Sequence, residues 1–147
     1  MHHGSIAPFM TTDHRHCDEH LAAAEEHVQK KRWPDAEAAF TSWRRALDCH
    51  LAREENLLFP AFERATGNTE GPTAVMRLEH AQMRDLVESL AQALAARDGK
   101  RFLSLCESLM LLVQQHNMKE ENVLYPMCDQ LLANRQVLVG EIAALSR

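Results

Sequence analysis

Two helical stripes in this chain carry glutamate where the pattern demands an apolar residue. From 40 to 57, the positions recurring at three- and four-residue steps are Phe40, Trp43, Leu47, His50, Glu54 and Leu57. From 102 to 123 they are Phe102, Leu105, Leu109, Leu112, His116, Glu120 and Val123. That spacing marks the buried face of an amphipathic helix. A carboxylate set into such a face without a partner costs several kcal/mol, so a fold that buries Glu54 and Glu120 must also bring a cation to them.

Both stripes also share a text. His50, Glu54, Glu55, Asn56, Leu58, Phe59 and Pro60 match His116, Glu120, Glu121, Asn122, Leu124, Tyr125 and Pro126, in the pattern H-x-x-x-E-E-N-x-L-[FY]-P, with the copies 66 positions apart. A spacing of i and i+4 puts His and Glu on one face, one turn apart. A single such pair is usually a solvated surface contact. Two copies in phase with the core stripes, on helices that can face each other, instead supply two imidazoles and two carboxylates to one place. Imidazole suits iron, copper, nickel and zinc, and added carboxylate shifts the preference toward iron or manganese. Glu55 and Glu121 are rotated about 100° from their neighbours and read as surface or supporting residues. Asn56 and Asn122 read as local geometry, and Pro60 and Pro126 as bends or ends of helices.

Punctuation and periodicity divide the chain into four long helices. The first starts near Thr12-Asp13, taken as an N-cap, and runs to about 31. The second follows Trp33-Pro34 and runs from 35 to 65. Residues 66–72 form the clearest loop, and the third helix spans 73–97. The fourth runs from 100 to 133, and an apolar tail at 137–145 forms a short further helix. Short connections make sequential helices antiparallel neighbours. The expected architecture is all-α: residues 1–11 as an N-terminal segment, 12–133 as an up-down-up-down antiparallel four-helix bundle, and 134–147 as a C-terminal helical tail. His2 and His3 stand in the N-terminal segment and are kept out of the chemistry.

Composition agrees with this and removes several functions. Of 147 residues, 46% are hydrophobic and 25% charged, enough for both a core and a polar surface. Aromatics are 5%, with five glycines and five prolines, a balance that favours helices. The formal charge of −5 comes without a basic block, so nucleic acid is not an expected partner. No apolar run reaches the roughly 18 residues of a membrane span, and the start lacks a secretory signal. Cys17, Cys49, Cys106 and Cys128 form no C-x-x-C pair, which speaks against structural zinc and fits a reducing cytoplasmic setting.

The other histidines are sorted by phase. His80 shares the inward stripe of Met76, Met83, Val87, Leu90 and Leu94, and is a third candidate imidazole. On the first helix, His14 falls in series with Cys17, Leu21, Ala24 and Val28, whereas His16 and His20 lie off it. His14 is the favoured ligand there, with His16 an open alternative. His27 reads as exposed.

One His on the first helix, H-x-x-x-E on the second, E-H on the third and H-x-x-x-E-E-x-x-L-Y-P on the fourth resemble the hemerythrin-like HHE cation-binding domains, over roughly residues 12–133. The resemblance implies a bundle holding two iron ions, oxo- or hydroxo-bridged, with ligands His14, His50, Glu54, His80, His116 and Glu120, the two glutamates bridging. Oxygen-carrying hemerythrins have a second His one turn from the first on the third helix, where this chain has Met76 and Arg84. They also have Asp five residues after the His of the fourth helix, where this chain has Glu120 four after. Four imidazoles and two bridging carboxylates give about eight of the roughly twelve bonds that two six-coordinate irons need, so solvent or an exogenous ligand completes the set.

Three functions follow. The first is binding or sensing of O2, another diatomic or peroxide, or handling of iron itself. The second is a di-iron redox enzyme, a peroxidase or a repair protein for damaged iron centres; related repair proteins carry an N-terminal cysteine segment, which counts against repair. The third is an interaction module stabilised by metal, with the 137–145 tail as contact surface. The residues decide neither whether the centre turns over nor whether the chain forms a homodimer. Met76 is read either as lining an open coordination position or as ordinary packing.

Overall fold

The structure, a computed structural model, describes residues 5–145; His2 and His3 lie outside the described residues. It is all-helical, with no strand among those residues. The elements are α1 (Ile6–Gln29), α2 (Trp33–Arg53), α3 (Phe59–Thr66), α4 (Pro72–Ala95), α5 (Gly99–Lys119), α6 (Tyr125–Leu131) and α7 (Arg135–Ala144). Five-residue wide turns, Glu54–Leu58 and Glu120–Leu124, join α2 to α3 and α5 to α6 without a break in the helix. Helix α1 packs along α2, α4 along α5, and α1 also meets α5.

α1 begins at Ile6, a full turn and more before Thr12-Asp13. The Ser5 side chain caps nothing; instead the Ile6 and Ala7 amides donate to Asp129 Oδ1 (2.6 Å) and Oδ2 (3.0 Å), so a carboxylate from α6 satisfies the helix start. Ile6 and Met10, both fully buried, anchor the extra turns. Asp13 is therefore no cap, which frees it for the role described below.

The wide turns are the main departure from the expected helices. The Phe59 amide donates to Glu54 O and the Tyr125 amide to Glu120 O, five residues back rather than four. Pro60 and Pro126 follow at once, and neither has an N–H to donate to the carbonyl four before it. The prolines thus neither end nor break the helices; the backbone widens ahead of them. One inserted residue rotates the following turn by about 100°. The buried face continues through Leu58 and Phe59, and through Leu124 and Tyr125, while Val123, expected inside, is 52% exposed.

The 66-residue offset of the motif extends through both halves of the chain. Lys31 and Arg97 correspond, and both take the left-handed conformation (φ 56° and 53°) to end α1 and α4. At each, the next amide reaches back five residues: Arg32 N–H to His27 O and Asp98 N–H to Ala93 O. The apolar interior falls into two clusters. One contains Leu21, Val28, Phe40, Trp43, Leu90 and Phe102; the other contains Ile6, Met10, Phe59, Met76, Tyr125 and Ile142. On α1, α4 and the α5–α6 run the candidate ligands fall between the two clusters, as Glu54 does on the α2–α3 run, where His50 adjoins Leu51 of the first cluster. Met76 is packed in the second cluster. No helix among the described residues is long and apolar enough to cross a membrane.

Candidate metal centre

α1 carries His14, α2 carries His50, α4 carries His80 and α5 carries His116, while the two wide turns open with Glu54 and Glu120. None of the six exceeds 4% exposure. They converge in two groupings whose donor atoms lie within 4.8 Å of one another: Glu54, His80, His116 and Glu120 in one, His14, His50 and Glu120 in the other. The rings pair accordingly, His14 with His50 at 4.5 Å between centroids and His80 with His116 at 4.9 Å. His16 is exposed and His20 partly so; neither joins a grouping.

Donor chemistry tests whether a cation fits. His50 Nε2, His80 Nε2, His116 Nε2, Glu54 Oε1 and Glu120 Oε2 are buried with no hydrogen-bond partner. His80 Nε2 lies 3.0 Å from Glu54 Oε1 and His116 Nε2 3.1 Å from Glu120 Oε2, close but not angled for hydrogen bonds. Those separations match the edge of about 3 Å between neighbouring donors around an octahedral ion with bonds of about 2.1 Å. Buried orphan donors are costly, and a cation among them satisfies all at once. The residues present fit a metal.

The far nitrogen of each ring is held by a carboxylate. His14 Nδ1 meets Glu121 at 2.7 Å, His50 Nδ1 meets Asp13 at 2.9 Å, His80 Nδ1 meets Glu55 at 2.8 Å and His116 Nδ1 meets Glu79 at 2.8 Å. An N–H donated there leaves the Nε2 lone pair facing the centre, the tautomer a metal needs. Three of the four carboxylates are backed by a cation: Asp13 by Arg53 (2.8 Å), Glu55 by Arg84 (2.8 Å at both oxygens) and Glu79 by Lys119. Arg84 therefore points at Glu55 rather than into the centre. The second glutamate of each E-E pair serves the histidine of a different helix pair.

Without a cation the centre holds protons instead. Burial, followed by the facing Glu120, pushes the Glu54 carboxyl up. Burial also acts upward on Glu120, yet the facing Glu54 and the nearby His116 and His14 outweigh it and hold that carboxyl down. Burial alone would lower His14, but its hydrogen bond and charge interaction with Glu120 raise it to about 9. His116 is raised by Glu120 in the same way against its burial, while burial dominates at His50 and lowers it.

Three features escaped the sequence reading. Asp13 and Glu79, which orient His50 and His116, each precede a candidate ligand and stand 66 positions apart, a signal present in the text. Tyr125 is the third. Its hydroxyl lies 2.7 Å from Glu54 Oε2, 2.9 Å from Glu120 Oε1 and 3.1 Å from His14 Nε2. The wide turn aims it there, and nothing in the apolar spacing announces that turn. Beside the rings, His14, His50, His116, Leu47, Met83 and Val113 line a cavity of about 20 Å³.

The family model of the hemerythrin HHE cation binding domain matches residues 5–128. No curated protein and no solved structure matches the chain.

Proposed function

Since the chain belongs to the hemerythrin HHE cation-binding family, we propose that it is a non-haem di-iron protein that binds or senses O2 or a related small oxidant, within an up-down-up-down four-helix bundle. His14, His50, Glu54, His80, His116 and Glu120 would hold two ions, with Glu54 and Glu120 available to both. The observation that carries this reading is the set of five buried donor atoms without hydrogen-bond partners, facing one another. Iron, when bound, supplies electrons and open positions for a small ligand. The antiparallel arrangement is supported by His14 meeting His50 from near opposite ends of their helices, and His80 meeting His116 likewise.

The protein's own contribution is orientation and exclusion. Asp13, Glu55, Glu79 and Glu121 fix the four rings with Nε2 inward. Leu47, Met83 and Val113 give the cavity an apolar wall. At about 20 Å³ it has room for one water-sized molecule, which suits an uncharged diatomic and rejects larger substrates. The chain purified without oxygen and analysed for metals tests the reading. It should carry two irons, and its optical spectrum should change on exposure to air. A folded chain that retains only zinc, or no metal, sinks it.

A further inference from the structure

We propose that Tyr125 is a metal donor, its phenol oxygen completing the grouping that His14, His50 and Glu120 form. This rests on the metal reading above and adds a seventh residue to the site.

Comparison of the two halves isolates the hydroxyl as the unusual feature. Phe59 occupies the position 66 residues before Tyr125. The rings behave alike: Phe59 stacks on His80 at 5.5 Å and 25°, Tyr125 on His14 at 5.6 Å and 29°, both fully buried. Packing therefore accounts for an aromatic ring in each half, and the oxygen is what the second half adds. That oxygen sits within 3.1 Å of three candidate ligand atoms at once. A phenol has one proton to donate, so it cannot donate to Glu54 Oε2 and Glu120 Oε1 together. Its distances to His14 Nε2 and Glu120 Oε1, 3.1 and 2.9 Å, are those of neighbouring corners around one octahedral ion. The grouping it borders holds three residues, His14, His50 and Glu120, against four in the other. As the metal–oxygen bond forms, the O–H bond breaks and the proton leaves to solvent, with no change of oxidation state. A phenolate is a hard oxygen donor, which favours ferric iron at the His14–His50 position over that at His80–His116.

Tyr125 is the chain's one tyrosine, so any tyrosinate signal belongs to it. The full-length iron-loaded protein, oxidised in air, should show a broad visible phenolate-to-ferric charge-transfer band and enhanced tyrosinate modes in resonance Raman. Tyr125→Phe, reconstituted to the same iron content as the parent, should lack both. Should that variant not fold, unaltered protein titrated with gallium(III), which is redox-inert, should still give a tyrosinate difference band in the ultraviolet. Two bound irons with no visible band, a band that survives in Tyr125→Phe, or gallium uptake without a tyrosinate signal overturns the assignment and leaves the di-iron reading standing. A protein that takes up no cation overturns both.

Discussion

In the proposed site, His14 ties cation binding to pH. Held up at about 9 from an ordinary 6.5, chiefly by Glu120, it is protonated near neutral pH in the metal-free chain. A folded value above the unfolded one means that its contribution to metal-free stability is complete below 6.5 and lost as pH rises through about 9. A cation held by His14 as proposed would need the Nε2 lone pair and would have to displace that proton. Affinity should therefore climb by up to about tenfold per pH unit from this group between neutral pH and about 9, then flatten. Competition titrations against a chelator across that range would measure it, and a flat profile would show that His14 gives up no proton. Behind His116, Glu79 makes a separate prediction. Its carboxyl is pulled below the usual range, against its burial, by Lys119 and then His116. Glu79→Gln keeps the size but weakens the hold on Nδ1, and should reduce cation affinity roughly 10- to 100-fold while the fold persists. Unchanged affinity with unchanged helicity would mean that the Nδ1 contact does not matter.

At the level of elements, the ends of α1 and α4 carry avoidable strain. Lys31 and Arg97 occupy left-handed backbone, where a side chain costs roughly 1 kcal/mol and glycine almost nothing. Both are exposed and make the reversed turn that closes a helix. Lys31→Gly and Arg97→Gly should each raise stability by up to about 1 kcal/mol, nearly additively, in urea unfolding of the metal-free protein. A loss of stability at either site would mean that the side chain contributes more than the strain costs. The same elements show which parts of the structure were legible in the sequence. Stripes of three- and four-residue steps located each long helix and put His14, His50, Glu54, His80, His116 and Glu120 on inward faces, because one buried face leaves a periodic trace. The start of α1 left no such trace, since its cap is Asp129, 123 residues from Ile6. The wide turns were hidden for a related reason: one added residue shifts the phase only after it occurs, so Val123 looked internal and Leu124 did not. Tyr125 went unread because its direction depends on that shift.

Across the whole molecule, neither half of the chain assembles a complete site. The grouping of Glu54, His80, His116 and Glu120 draws one residue from the first half, and that of His14, His50 and Glu120 draws one from the second. The contacts that unite them span 106 residues from His14 to Glu120 and 71 from Tyr125 to Glu54. Pairings so distant in sequence are expected to close late, after α1–α2 and α4–α5 have formed their local contacts. A cation therefore recognises the native state and little before it, and in kinetic terms it acts as a brake on escape. Stopped-flow refolding with the ion present should proceed at the metal-free rate, whereas unfolding should slow by roughly the factor by which the ion raises the equilibrium constant. A refolding limb accelerated by the ion would place the joining of the two halves before the barrier; a slowed unfolding limb alone would mean that the metal-bound chain outlasts denaturing stress through its reluctance to open.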